Sequence, residues 1–127
     1  MSKANDLLRL AEADLKTSEL LLNSYNDELM QNNAAYHTEQ ALEKLMKALK
    51  EFHGAPATVT HSITVLWKDL QEVSVNVPSW VLEMDDEISS WATTIRYNAN
   101  FKSDHDSIEK SNRLIREWML DLRNKGL

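Results

Sequence analysis

The chain has 127 residues, with 14 Lys and Arg against 20 Asp and Glu, a net charge of −6 and no cysteine. That length supports one domain with a real core, and the missing cysteines exclude disulfides, thiolate metal sites and cysteine nucleophiles together. The acidic balance argues against a general nucleic-acid coat protein, and no DNA binding is expected.

The opening MSKANDLLRLAEADLK lacks the unbroken apolar run of a signal peptide, and no stretch approaches the ~20 apolar residues of a membrane span. A soluble, cytoplasmic protein without membrane contact is expected. The charge is unevenly spread. Residues 44–68 carry Lys44, Lys47, Lys50 and Lys68 against Glu51 alone, and residues 96–127 have seven basic against five acidic side chains. An anionic ligand should prefer one of these two regions.

Five helices are predicted. The first covers about 3–24, because Leu8, Ala11, Leu15, Ser18, Leu22 and Tyr25 recur at alternating steps of three and four. The second covers about 27–53, with Ala34, Ala41, Leu45, Ala48 and Phe52 facing inward, Gly54 as its stop and Pro56 beyond. Thr58 or Thr60 can cap the third, which carries Val59, Ile63, Leu66, Leu70 and Val73 before a β-branched run ending at Pro78. The fourth begins at Pro78-Ser79 and shows the cleanest stripe: Val81, Met84, Ile88, Trp91, Ile95 and Ala99. Its early Glu83, Asp85, Asp86 and Glu87 suit the positive end of a helix dipole. The fifth follows Ser103-Asp104, carries Ile108, Ile115, Trp118 and Leu122, and ends at Lys125-Gly126. No period-two pattern runs long enough for a strand. The expected fold is all-α: an antiparallel up-and-down bundle of four long helices plus a fifth C-terminal helix, one domain over 1–127.

A metal site is not expected. The Glu-x-x-His pairs of a di-iron bundle are missing, and His37, His53, His61 and His105 never stand at i,i+4 on one helix. Trp91 and Trp118 lie on apolar stripes and belong to the core, whereas Trp67 and Trp80 suit half-exposed positions at a subunit interface. His37, Gln40, Lys44 and Lys47 form one polar stripe on the second helix. In its plainest form this is a solvated face laced by pairs such as Glu43 with Lys47.

Those residues also carry a resemblance. AAYHTEQALEKLMKALKEFHG, THSITVLWKDL and IRYN resemble the HEPN domain, a small helical domain of prokaryotic nucleotide-binding proteins and toxins. The shared features are Gln40-Ala41, Glu43-Lys44, Lys47-Ala48, Gly54, Thr60-His61, Arg96-Tyr97 where the family has Arg-Tyr-Pro, and Trp118 near the end of the last helix. The order and spacing of these degenerate motifs extend over nearly the whole chain. The resemblance implies a homodimer, with polar residues of the second and fourth helices near a shared cleft. It also implies a separately encoded minimal nucleotidyltransferase as partner, in a toxin–antitoxin-like pair. No cofactor is implied.

The ribonucleases of the family carry arginine, four to six intervening residues and then histidine. Here that window after Arg96 holds no histidine, and His105 follows after eight intervening residues. The Arg-Tyr branch, which commonly lacks that histidine, is the better match. Asn98 replaces the usual proline and allows the fourth helix to run on.

Three functions remain open at this point. In the first, a nucleotide or RNA phosphate binds through Arg96, with Lys44, Lys47, His37, Gln40 and Asn98 in support; arginine suits this because its planar fork meets phosphate oxygens in pairs. In the second, Arg96 and His105 form the catalytic pair of a metal-independent ribonuclease toxin. The third is a protein-interaction module without catalysis. Tyr97, beside Arg96, is a candidate for modification by the partner. Against all three, Arg96 can simply stabilise the C-terminal end of its helix.

Overall fold

Leu8, Ala11, Leu15, Ser18 and Leu22 all face the core from α1 (Lys3–Ser24), as their spacing requires. These positions come from a computed structural model, which describes residues 3–24, 26–55 and 59–127, with Ile95 and Arg96 described in backbone only. Tyr25, Pro56 and Thr58 therefore lie outside the described residues, as do the side chains of Ile95 and Arg96. Among the described residues the chain is helical, with no strand.

The centre of the molecule is α2 (Glu28–Phe52). Asp27 caps it, its carboxylate accepting from the amides of Leu29 at 2.8 Å and Met30 at 3.4 Å. Ala34, Ala35, Ala41 and Ala48 are buried, and their small side chains let neighbouring helices come close on more than one side. The helix stops at His53. Gly54, at φ 70°, lets the Ala55 amide reach back to the Lys50 carbonyl at 2.9 Å. Phe52, expected inside, is 54% exposed because it occupies the last turn, beyond the helices that cover the stripe.

The next helix, α3 (Ile63–Glu72), starts later than the two threonines suggested. Ser62 caps it through the Val65 amide, while Thr60 turns the chain before it by accepting from the Ser62 amide at 3.0 Å. Val59 accordingly lies outside the helix, fully exposed. Ile63, Leu66 and Leu70 are buried, and Lys50 of α2 reaches Asp69 at 2.7 Å.

The predicted fourth helix is two pieces, α4 (Trp80–Glu83) and α5 (Asp85–Tyr97), divided at Met84. The division gives Asp85, Asp86 and Glu87 a fresh helix N-terminus, where carboxylates are favoured. Asp85 accepts from Ser89 at 2.7 Å and also from the Thr64 hydroxyl, which ties α5 to α3. The helix does not continue to Ala99. Asn98 leaves helical geometry and its side chain accepts from the Asn100 amide at 3.0 Å, a turn that competes with another helical residue.

Last comes α6 (His105–Asn124), capped by Asp104 and lying across both α1 and α2. Trp118 is in the core, and Trp80 meets it edge-on at 6.1 Å. Trp80 and Trp67 are both half-buried against that core. With α1, α3, α5 and α6 all packed on it, α2 is the shared wall of every layer. No described helix is long and apolar enough to cross a membrane.

Candidate functional site

A helix with neighbours on most sides has little room for charge, yet α2 buries two glutamates one turn apart. Glu39 is 0% and Glu43 3% exposed. Glu43 Oε1 takes Lys47 Nζ at 2.8 Å and His61 Nδ1 at 2.7 Å, while Glu39 Oε1 takes Gln40 Nε2 at 2.8 Å. The other oxygen of each carboxyl has no donor among the described groups.

Burial, then the adjacent Glu43 carboxylate, pushes the Glu39 carboxyl up to about 8. Burial acts on Glu43 as well, but hydrogen bonds from Lys47 and His61 outweigh it and hold that carboxyl below its usual range. Near neutral pH the pair therefore holds one proton, on Glu39.

Above this pair opens a cleft of about 370 Å³, lined by Tyr36, Gln40 and Glu43 of α2, His61 of the α2–α3 connection, and Ala92, Thr93 and Tyr97 of α5. Two tyrosines, an amide, a threonine and an imidazole supply stacking faces and hydrogen-bonding groups around one space. A larger groove of about 560 Å³ runs between α1 and α6, lined by charges of both signs from Arg9, Glu12, Lys16, Glu19 and Arg116. There Arg116 grips Glu19 through Nε at 3.1 Å and Nη2 at 2.6 Å, hydrogen bonds that raise the guanidinium further above its usual range. The smaller cleft holds the better chemistry.

The polar stripe of α2 divides between two surroundings. Gln40 lines the cleft and Lys47 stands behind it through Glu43. His37 and Lys44 turn the other way: Asp14 of α1 accepts His37 Nδ1 at 2.9 Å and Lys44 Nζ at 2.5 Å. Burial raises the Asp14 carboxyl, but those two partners together hold it below its ordinary value. The Glu43–Lys47 pair expected on a solvated face exists, with its carboxylate buried.

Tyr97 lies at the cleft and is largely exposed, and Asn98 follows it out of the helix. The Arg96 side chain lies outside the described residues. His105 opens α6, half-exposed, 3.7 Å from the carboxylate of its neighbour Asp106, and is not among the residues that line the cleft. No group of three or more His, Asp or Glu side chains gathers closely enough to hold a metal among the described residues.

Glu39, His61, Tyr36 and Thr93 did not emerge from the sequence as site residues. A signal for Glu39 and Glu43 existed in the alanines around them. A helix rich in small residues on several flanks is packed on several flanks, and its carboxyls are then buried.

The fold and cleft define a small all-helical bundle with a polar ligand-sized recess against its central helix. The family model of the HEPN domain matches residues 4–122, nearly the whole chain, and the chain belongs to that family. Membership supports a function connected with nucleotides or RNA. No curated protein and no solved structure matches the chain.

Proposed function

We propose that this HEPN domain binds a nucleotide, or the phosphate-bearing end of an RNA, in the cleft between α2 and α5. The observation that carries this reading is the cleft itself, whose lining brings the aromatic side chains of Tyr36 and Tyr97 together with the polar side chains of Gln40, Thr93 and His61. Arg96 immediately precedes Tyr97, and its part as the phosphate-binding cation rests on the resemblance. Lys47 adds positive charge behind the cleft. His37 and Lys44 act more remotely, through Asp14. Asn98 shapes the turn that ends α5.

In the same proposal the protein works in the cytoplasm as a homodimer beside a separately encoded minimal nucleotidyltransferase, as one half of a toxin–antitoxin-like pair. Tyr97 is then the acceptor for modification, which its exposure supports. The ribonuclease reading through Arg96 and His105 has less support, because His105 is not among the cleft-lining residues.

The test is calorimetric titration of the full chain with nucleoside mono- and triphosphates and with a short RNA, in chelator. Binding that Arg96→Ala weakens at least tenfold supports the proposal. No binding to any of them by the parent chain overturns it. RNA cleavage lost in both Arg96→Ala and His105→Ala returns the ribonuclease reading to first place.

A further inference from the structure

The ring of His61 stands largely in solvent, with 80% of its side chain exposed, yet its Nδ1 is held by a carboxylate that is itself buried. An exposed histidine ordinarily samples several rotamers, and a surface ion pair does little to stop it. Glu43 cannot follow such motion: it is packed in α2 and its Oε1 is held by Lys47 as well. The ring orientation is thereby set from below. With Nδ1 committed to Glu43, Nε2 occupies the opposite edge of the ring, on a residue that lines the cleft. This is how a protein fixes one imidazole nitrogen to present the other.

Glu39 is buried one helical turn from that carboxylate and does not line the cleft. The charged groups around the pair are Lys47 on the same helix and His61 from the α2–α3 connection, while α5 contributes Tyr97 to the cleft wall. Asp14, His37 and Lys44 form a separate cluster toward α1, and Lys50 with Asp69 another toward α3.

We propose that His61 is the anion-gripping residue of this cleft: with both ring nitrogens protonated, Nδ1–H donates to Glu43 and Nε2–H to a phosphate oxygen of the ligand. The proposal rests on the nucleotide reading and adds the group that recognises the phosphate.

The experiment titrates the full-length chain with 5′-AMP and, separately, inorganic pyrophosphate, at pH 6.5. His61→Gln is the variant. His61→Gln keeps a hydrogen-bonding amide beside Glu43 at an exposed position, and circular dichroism confirms that it folds. The parent chain should bind both probes, and His61→Gln should lose at least tenfold.

Parent-level binding by His61→Gln overturns the grip and leaves the nucleotide reading standing. His61-dependent binding of pyrophosphate without AMP keeps the grip and overturns the nucleotide as its source. No binding of either probe to the parent overturns the inference, while binding of a longer RNA in the separate titration would still sustain the general reading.

Discussion

Glu39 is the residue whose position costs the fold most and reveals most. Its carboxyl is buried beside a second carboxylate and stays protonated to about pH 8, against an ordinary glutamate value of 4.5. The sign of the stability effect follows. Between these values the folded chain holds a proton that the unfolded chain has released, so stability falls as pH rises through that window and the full cost is reached above pH 8. Glu39→Gln should remove this slope. In urea unfolding the variant should match the parent near pH 4.5 and exceed it by at least about 1 kcal/mol at pH 9. A parallel pH dependence of the two proteins would contradict the buried protonated pair. Asp14 behaves oppositely. Its carboxyl is depressed by His37 and Lys44, so its stabilisation is present above the ordinary aspartate range and is lost as pH falls through the folded value. Asp14→Asn should cost about 1–3 kcal/mol at pH 7, with the difference narrowing toward pH 3.

Among the elements, α2 was legible as a helix and illegible as a centre. Its caps, length and apolar stripe all follow from local rules: Asp27 at one end, Gly54 at the other, and small or aliphatic residues between. That Glu39 and Glu43 are inside was signalled only by the alanines around them, because i,i+4 glutamate and lysine read equally well as a solvated face. The break between α4 and α5 was hidden for a similar reason, since the stripe Val81, Met84, Ile88 and Trp91 passes through it unbroken. The end of α3 is more informative. Ser74 sits at φ 60°, in left-handed geometry, while the Val75 amide returns to the Leu70 carbonyl at 3.0 Å. A β-branched residue tolerates that conformation poorly and glycine accepts it freely. Ser74→Gly should therefore be more stable than Ser74→Val by about 1–2 kcal/mol in thermal or urea unfolding. Equal stabilities would show that the turn is not held in left-handed geometry.

For the whole molecule, the arrangement of helices is specified by a few buried polar contacts on an otherwise permissive apolar core. Ser18 of α1, Thr38 of α2 and Asn112 of α6 close a ring. Asn112 Nδ2 donates to Ser18 Oγ at 2.9 Å, Ser18 Oγ lies 2.8 Å from Thr38 Oγ1, and Thr38 Oγ1 donates back to Asn112 Oδ1 at 2.6 Å. Each polar group finds its partners only if all three helices are in register. Asn32 does the same for the turn before α6, donating to the Phe101 carbonyl at 2.8 Å and accepting from Ser103 N at 3.1 Å and Ser103 Oγ at 2.7 Å. Asn112→Ala leaves two buried hydroxyls short of a partner and should cost about 1–3 kcal/mol, read as a lower urea midpoint. A change within a few tenths of that energy scale would show that the ring contributes nothing to register.

The residues alone were enough for an all-helical bundle, for the ends of α1 and α6, and for the HEPN resemblance that the family match over 4–122 then supported. Periodicity, caps and glycine stops act within a few residues of themselves, so they can be read without a partner. Which neighbour each flank of α2 meets had to come from the packed chain. His37 and Lys44 against Asp14, and Glu39, Glu43 and Lys47 beside His61, lie on different flanks of one helix, roughly 100° apart about its axis. Burial and charge depend on what stands across that axis, and residues far away in the chain supply it.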